Sequence, residues 1–286
     1  MVVKKKRRYA GKRNSALKIS AVMCARNEEE NIKKTLECLK AQSIRSQQVI
    51  VVNDGSTDKT GEIAKEMGCE VVNLPFHEES YVGRPELAEV INQGLKRVNE
   101  CDYVLIVGAD QILPRDYIEK VLAKMKQNPK LVVASGRVKD EPYSENVPRG
   151  GGRIVNFNFW KEVNNLQYPV GWGWEAWLLY KAMQLGYEVR CFRDIVSEAQ
   201  RPTGLKVPEV KFWGKGMYAL GYDWKYGLGR CVLTFFKSPR LGWSMFWGWF
   251  WHKDVQRLDV ADWVNQWQKN LFWKRVKTIV KRGGRK

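Results

Sequence analysis

The alternation of short apolar segments with amphipathic helical segments over the first half of the chain constrains its fold more than any other feature. Strands are predicted at residues 18–24, 48–53, 70–74, 103–107 and 131–135, and helices at 27–42, 59–67, 86–98 and 114–126. The strands are nearly continuous apolar runs, which is typical of strands that a parallel sheet buries on both faces. Strands separated by helices of this length form βαβ units. The sequence therefore predicts an α/β fold with a mainly parallel, doubly wound sheet flanked by helices.

Polar clusters follow three of these strands at the point where each strand ends. They are Arg26-Asn27-Glu28, Asn53-Asp54-Gly55-Ser56 and Gly108-Ala109-Asp110-Gln111. Ligands of open α/β sheets bind at the carboxyl ends of the strands, where these clusters are expected to converge. An Asp-Gly pair alone usually marks only a turn. Three clusters at one edge, however, predict acceptors for a nucleobase and a ribose, and a carboxylate for a metal.

The two common glycine-rich phosphate-binding motifs are missing from the sequence. Neither G-x-G-x-x-G after the first strand nor G-x-x-x-x-G-K-[ST] occurs, which argues against dinucleotide oxidoreductases and P-loop enzymes. Without such a loop, a divalent cation on a carboxylate is the obvious way to hold a diphosphate. Hard oxygen ligands favour Mg²⁺ or Mn²⁺, and either ion is the predicted cofactor.

The net charge of +18 is concentrated at the two ends of the chain. Residues 1–13 carry +7 and residues 269–286 carry +8, with no acidic residue in either segment, which leaves +3 for the residues between them. Such tails fit an anionic lipid surface, a nucleic acid or a role in solubility. Because the body is nearly neutral, we expect no nucleic-acid partner.

The cysteines and histidines give little sign of metal or disulfide chemistry. The six cysteines include no C-x-x-C pair and follow no secretory signal, so they are predicted to be reduced thiols of a cytosolic protein. No His/Cys cluster has the spacing of a zinc site. The two histidines, His77 and His252, are predicted to be structural or surface residues.

Beyond residue 137 the regular alternation fails, and the C-terminal region is helical and aromatic. The Gly/Pro/Arg-rich stretch 148–153 is predicted to be a mobile loop. The aromatic stretch 241–251 is too short for a membrane span, which needs ~20 residues. Trp243, Trp247 and Trp251 recur on one helix side, with Trp249 off it, and Trp favours the lipid headgroup level. An interfacial helix pair and a packed helical subdomain both remain open.

Three segments resemble the motifs of family 2 glycosyltransferases of GT-A fold. VMCARNEEENI at 22–32 resembles the family's YNEE..I signature, and VVNDGSTDKT at 51–60 resembles its VDDGSTDGT loop. LIVGAD at 105–110 resembles the strand that carries the family's Asp-x-Asp metal motif. The resemblance covers residues 18–204, with the motifs in the family's order. It implies a Rossmann-like domain that transfers a sugar from a nucleotide donor.

The resemblance also implies roles for individual residues. Asp54 would hydrogen-bond a uracil, Glu28 would contact the nucleoside, and Asp110 would hold the Mg²⁺ or Mn²⁺ that bridges two phosphates. Glu175 falls at the position of the family's catalytic base, although an acid also suits the start of a helix. The other candidate nucleotide-binding residues are Cys24, Ala25, Arg26, Asn53, Arg84, Ala109 and Arg201, of which the arginines at 201 and 84 are candidates to neutralise a diphosphate.

The sequence departs from the family pattern at three places. Gly108 stands where the metal motif usually has its first Asp, and Arg26 replaces the usual Tyr. The segment 197–204 lacks the His that the family often supplies after the catalytic helix. Because Asp110 would bind the metal alone, metal dependence is less strongly implied than the fold.

The resemblance divides the chain into a basic arm at 1–17, a GT-A catalytic domain at 18–206, an aromatic-rich helical region at 207–272 and a basic tail at 273–286. It implies transfer of a sugar, preferably from a UDP-sugar, to a hydroxyl of a lipid-linked or polysaccharide acceptor by an inverting single displacement. The expected location is cytoplasmic, peripheral on the inner face of the cell membrane, with the tails and Trp-rich helices on anionic lipid.

Two other classes of protein stay open. A sugar-phosphate nucleotidyltransferase shares the Rossmann-like architecture, but it should carry a G-x-x-T-R-type loop where this chain has residues 25–28 without a glycine. A non-catalytic nucleic-acid- or lipid-binding protein would use basic tails and aromatic side chains. That class would leave the polar clusters at the strand ends unused.

Overall fold

The computed structural model of the chain describes residues 17–201 and 207–271, without the side chains of residues 207–209. The chain divides into two compact units. The first unit comprises Met1–Ser80, Glu89–Tyr168 and Lys181–Thr203, and the second comprises Tyr81–Ala88, Pro169–Tyr180 and Gly204–Lys286. The predicted basic arm (except residue 17) and the basic tail at 273–286 lie outside the described residues. The predicted domain boundaries stay predictions.

The first unit is built on a sheet of eight strands in the order β3-β2-β1-β4-β7-β6-β8-β5. The strands are β1 (Ile19–Ala25), β2 (Gln48–Asp54), β3 (Glu70–Leu74), β4 (Tyr103–Gly108), β5 (Gln111–Ile112), β6 (Leu131–Val138), β7 (Arg153–Asn156) and β8 (Glu188–Ala199). β1 pairs in parallel with both β2 and β4, and β2 pairs in parallel with β3. β7 is antiparallel to both of its neighbours. The predicted α/β fold with a mainly parallel sheet is confirmed.

Helices of the first unit cover both faces of this sheet. The helices up to residue 184 are, in chain order, α1 (Ile32–Lys40), α2 (Thr60–Glu66), α3 (Pro85–Leu95), α4 (Tyr117–Gln127), α5 (Phe157–Asn164) and α6 (Trp174–Gln184), of which α3 and α6 are each divided between the two units. On one face, Leu36 of α1 and Val121 of α4 join a buried core with Met23 of β1. On the other face, Gly94 of α3 lies against Val22 of β1, because a Cβ on Gly94 would lie 2.8 Å from a Cγ atom of Val22. Successive residues of β1 thus point to opposite faces, as in any strand buried on both sides.

The region between β6 and α6 is more regular than the sequence predicts. It contains β7 and α5, and Arg153, predicted to lie in a mobile loop, is instead the first residue of β7 and only 2% exposed. That prediction is wrong for Arg153, whose guanidinium donates to the carbonyl of Pro148 at 2.7 Å and to the hydroxyl of Tyr168 at 3.3 Å. A strand of four residues beside a glycine run has too weak a pattern to recognise, because its pairing partners β4 and β6 are distant in sequence.

The second unit is helical, which confirms the predicted C-terminal helical region. It contains α7 (Val207–Ala219), α8 (Trp224–Lys237), α9 (Pro239–Phe250) and a helical stretch at 261–271. α7 and α9 meet backbone to backbone, because a Cβ on Gly214 would overlap the carbonyl of Met245 and one on Gly248 would overlap that of Lys211. Only glycine permits so close an approach. The buried core of this unit consists of Val210, Met217, Cys231 and Met245.

The aromatic side chains around α9 divide between this core and the surface. Trp249 packs against the core, whereas Trp243, Trp247, Phe250 and Trp251 are 57%, 39%, 61% and 57% exposed. In the part of the chain that the structure describes, no helix has both the length and the apolar character needed to cross a bilayer.

Candidate active site at the carboxyl edge of the sheet

Side-chain hydrogen bonds join the loop after β1 to the loop after β2. Asn27 adopts a left-handed conformation with φ +53°, which Asn tolerates better than most residues. Its Oδ1 accepts from the backbone N–H of Thr57 at 2.9 Å, and its own N–H donates to Ser56 Oγ at 3.0 Å. Two residues on, the N–H of Glu29 donates to Asp58 Oδ2 at 3.0 Å. These bonds fix the first two polar clusters relative to each other.

Thr60 is the buried centre of this loop pair. Its Oγ1 accepts from the N–H of Glu28 at 2.7 Å and donates to Asp58 Oδ1 at 2.5 Å. Burial by itself raises the pKa of Asp58, but hydrogen bonds from Thr60 and from the N–H of Glu29 outweigh it, so the pKa lies below its usual value. The ionised form of Asp58 is thus part of the loop's structure.

Arg201 brings the ends of β1 and β4 together. Its Nη2 donates to Glu28 Oε1, and its Nε is 3.4 Å from Asp110 Oδ2. Glu28 is almost buried, and its other oxygen accepts from Asn31 Nδ2 at 2.9 Å. The Asp110 side chain is 27% exposed. Two predicted acidic residues and a predicted phosphate-binding arginine therefore lie in contact, although the roles assigned to them stay predictions.

The donor set at this edge fits a divalent cation only in part. Among residues 17–201 and 207–271, no group of three or more His, Cys, Asp or Glu side chains could hold a metal ion. Two carboxylates, Asp110 and Glu28, share Arg201. Mg²⁺ commonly binds one or two carboxylates and takes its other ligands from phosphates and water. Asp110 and Glu28 suit such an ion when a diphosphate supplies the rest of the shell.

His77, which the sequence predicts to be a structural or surface residue, contacts the carboxylate of Asp54. The Nε2 of His77 is 3.0 Å from Asp54 Oδ1, and the guanidinium of Arg26 contacts the other ring nitrogen at 2.6 Å. His77 follows β3, the neighbour of β2, and so it comes to the same edge. The predicted strand at 70–74 could have indicated this position of His77, because side chains that follow a parallel strand come to the carboxyl edge. A single histidine after a strand is, however, a weak pattern.

Gly55 permits this arrangement. It has φ +63°, and a Cβ there would lie 2.7 Å from the carbonyl oxygen of Pro75 and 2.8 Å from the Cα of Phe76. A side chain at this position would push the loop after β3 away from the loop after β2. The glycine therefore keeps His77 beside Asp54.

The remaining candidates in the first unit line the same edge from within the sheet. Burial and, to a smaller extent, the charge of Asp54 together raise the pKa of the Cys24 thiol to about 12, so the thiol stays protonated. Ala25 is buried at the end of β1, and the carbonyl of Ala109 accepts from Thr35 Oγ1 at 2.8 Å. Asn53 Nδ2 donates to Asn73 Oδ1 at 2.9 Å, between β2 and β3. Their predicted nucleotide contacts stay predictions.

Arg84 and Glu175 belong to the second unit. Glu175 lies in the first turn of α6, next to Trp174. Trp174 Nε1 donates to the carbonyl of Arg84 at 3.1 Å, so Arg84 lies at the start of the helix that carries Glu175. Arg84 Nη2 also donates to Glu86 Oε1 at 3.0 Å. The catalytic role of Glu175 and the phosphate-binding role of Arg84 stay predictions.

The fold is that of GT-A enzymes, as solved structures show. A mannosyltransferase from Pyrobaculum calidifontis, solved in complex with GDP-Man and Mn²⁺, superposes with a TM-score of 0.55 at 14% identity, covering 82% of this chain and 70% of that one. At this identity the likeness establishes the fold alone. It confirms the GT-A fold expected from the motifs.

The chain belongs to glycosyl transferase family 2, whose family model matches residues 20–183, more than half of its length. It is 32% identical over 108 residues to the glycosyltransferase GlyA of Streptococcus pneumoniae. It is 30% identical over 118 residues to the poly-β-1,6-N-acetyl-D-glucosamine synthase of Staphylococcus aureus. These alignments cover 38% and 41% of this chain but span only 15% and 28% of the relatives' lengths. Family membership favours the glycosyltransferase over the two alternative classes.

We predict that Thr60→Val lowers the free energy of unfolding by about 1–3 kcal/mol at neutral pH, because it leaves the buried N–H of Glu28 without an acceptor and removes one of the hydrogen bonds to the Asp58 carboxylate. Asp58 has a lowered pKa, so its stabilisation is present above the usual value of 3.8 and is lost as the pH falls through the lowered one. The difference in the free energy of unfolding between Thr60→Val and wild type should therefore become smaller as the pH falls below 3.8.

Urea unfolding at a series of pH values from 7 to about 2.5 measures this effect, because the range has to extend below the lowered pKa of Asp58. Thr57→Val is the matched control, because Thr57 is exposed and its hydroxyl lies 3.5 Å from its nearest partner. Equal destabilisation by the two substitutions would contradict the role given to Thr60.

Proposed function

We propose that the chain transfers a sugar from a nucleotide-diphosphate donor, preferably a UDP-sugar, to a hydroxyl acceptor. The observation that carries this proposal is the meeting of Glu28, Arg201 and Asp110 at the carboxyl edge, beside Asp54 on the neighbouring strand. The family motifs assign nucleoside contacts to Glu28 and Asp54. The preference for UDP rests on the resemblance of residues 51–60 to the family's loop.

The diphosphate of the donor would bind at the Glu28–Arg201–Asp110 contact. The Arg201 side chain is 54% exposed, and an exposed guanidinium can exchange carboxylate partners for phosphate oxygens of similar geometry. A divalent cation bound to Asp110 and Glu28 would supply further charge neutralisation to the diphosphate. Arg201 would stabilise the negative charge that develops on the leaving group, which is where such a donor contributes most to the rate.

Transfer would be an inverting single displacement with Glu175 as the general base. The acceptor oxygen forms a bond to the anomeric carbon while its proton passes to the Glu175 carboxylate. The bond from the anomeric carbon to the diphosphate oxygen breaks, and its electron pair leaves with the nucleoside diphosphate. No covalent sugar–enzyme intermediate is required, which agrees with a Cys24 thiol kept protonated by its raised pKa.

The proposal predicts that the full chain binds UDP more tightly with Mn²⁺ than without it, as measured by calorimetry against GDP, CDP and ADP. Asp54→Ala should weaken UDP binding by about tenfold or more, because hydrogen bonds to charged groups are strong. Asp110→Ala should remove the effect of Mn²⁺. Asp194→Ala is the control, since Asp194 is exposed and pairs with Lys124 on the surface. A wild-type chain that binds no nucleotide, with or without Mn²⁺, would contradict the proposal.

A second prediction concerns Glu175. Glu175→Gln should lower the turnover rate by about 10²–10⁴-fold while UDP affinity stays unchanged, because a general base acts in the transition state. The assay is release of UDP from UDP-glucose, UDP-galactose and UDP-N-acetylglucosamine with water as acceptor. Glu66→Gln, on the exposed side of α2, is the control. An unchanged rate in Glu175→Gln would exclude Glu175 as the general base, while the proposed nucleotide-binding site would still stand.

The proposal includes an acceptor that is lipid-linked or a polysaccharide, and a location on the cytoplasmic side of an anionic membrane. Trp243, Trp247, Phe250 and Trp251 form what we term the aromatic face. Trp243 and Trp247 lie 5.9 Å apart between ring centroids, and Trp247 and Trp251 lie 6.1 Å apart, so the rings form a continuous row. Exposed apolar patches of this kind mark interaction sites.

The charges around the aromatic face favour anionic lipid as its partner. Residues 224–253 contain no Asp or Glu but five basic residues, Lys225, Arg230, Lys237, Arg240 and Lys253. Each Lys or Arg near an anionic leaflet contributes about 1 kcal/mol to binding. Lys253 Nζ lies 5.4 Å from the ring of Trp251, a pairing of cation and aromatic ring that suits the headgroup region.

We predict that the full chain co-floats with vesicles of phosphatidylglycerol and much less with vesicles of phosphatidylcholine. Replacing Trp243, Trp247 and Trp251 together by Ser should reduce binding by about tenfold or more, because Trp contributes interfacial affinity. Trp213→Ser, an exposed tryptophan on α7, is the control. Since both terminal tails are retained, equal flotation of the triple variant and wild type would assign the binding to the tails and contradict the role of the aromatic face.

A further inference from the structure

His77 is the one imidazole at the carboxyl edge, and the function proposed above gives it no task. Its ring is 16% exposed and the Asp54 side chain is 7% exposed. The contact of 3.0 Å between His77 Nε2 and Asp54 Oδ1 is therefore shielded from solvent, where hydrogen bonds are strongest.

The carboxylate of Asp54 indicates which ring nitrogen of His77 donates to it. A carboxylate accepts hydrogen bonds, so Nε2 of His77, 3.0 Å from Asp54 Oδ1, is the donor of this pair. The other ring nitrogen, Nδ1, lies 2.6 Å from Arg26 Nη1 and 2.6 Å from the carbonyl oxygen of Glu79. Both contacts of Nδ1 are compatible with a hydrogen on Nε2.

This hydrogen bond makes the two oxygens of Asp54 unequal as acceptors for a nucleobase. Within the described residues, Oδ1 is the atom of the Asp54 carboxylate that accepts a hydrogen bond, and Oδ2 has no such partner. Uracil offers a single N–H, at N3, between two carbonyl oxygens. Guanine offers two adjacent donors, N1–H and the N2 amino group, which suit a carboxylate with both oxygens available.

We propose that His77 is a specificity-determining residue that makes Asp54 select uracil over guanine. Because the N–H of His77 already donates to Oδ1, that oxygen is a weaker and less accessible acceptor for the second donor of guanine, whereas the single N–H of uracil needs only Oδ2. A site rejects a ligand most strongly when binding would leave buried polar groups unpaired. The inference rests on the proposed function, because it takes Asp54 as the residue that binds the base.

The experiment compares the Kd of UDP with that of GDP, by calorimetry on the full chain, in wild type, His77→Phe and His77→Gln. Phe keeps the ring but has no donor, so the preference for UDP should fall by about tenfold or more. Gln can place an amide N–H near Asp54 Oδ1, so it should keep the preference within about threefold. His252→Phe is the matched control, since His252 stacks on Tyr218 in the second unit and should leave the ratio unchanged.

The outcomes separate this inference from the proposed function. A fold defect in His77→Phe would weaken UDP and GDP alike, whereas the proposal requires the ratio to change and Gln to restore it. If wild type prefers UDP and His77→Phe keeps the same ratio, the role of His77 is overturned while the transferase function stands. If wild type binds GDP as tightly as UDP, the inference is overturned, and if it binds neither, both are.

Discussion

The parallel pairing of β1 between β2 and β4 is the constraint on which the candidate site depends. In this register Cys24 lies opposite Val52 on one side and Gly108 on the other, so the three strands end at the same level. The polar residues that follow each strand are therefore brought to one edge, although they are separated by tens of residues in sequence. A slip of one residue would turn each side chain to the other face of the sheet.

Nitrogen donors from the chain itself already meet the acidic side chains at this edge. Arg201 contacts both Glu28 and Asp110, and His77 contacts Asp54. Without these partners, converging carboxylates would repel one another in a partly buried setting. In the proposed complex, Arg201 would bind the diphosphate, and Asp110 and Glu28 would hold a divalent cation that supplies positive charge. The same acids can thus serve both the free and the loaded state.

In the second unit, glycines decide which aromatic rings are buried. Gly214 and Gly248 let α7 and α9 approach closely, and Gly227 of α8 makes room for the ring of Trp249 of α9. This packing uses one side of α9 and leaves the aromatic face on the other side. The absence of acidic residues from 224 to 253 then gives the exposed side a consistent charge. One side of α9 therefore packs in the core of the unit, and the opposite side carries the aromatic face proposed to bind anionic lipid.

The α/β fold, the family and the three polar clusters were predictable from the amino-acid sequence, because buried parallel strands and the turns after them leave strong local patterns in the residues at 22–32, 51–60 and 105–110. It did not reveal β7, the burial of Arg153 or the contact of His77 with Asp54, since each depends on partners distant in the chain. Nor could periodicity alone say which side of α9 is buried. These contacts depend on the folded chain, because strand order and helix packing, rather than local pattern, determine which side chains meet.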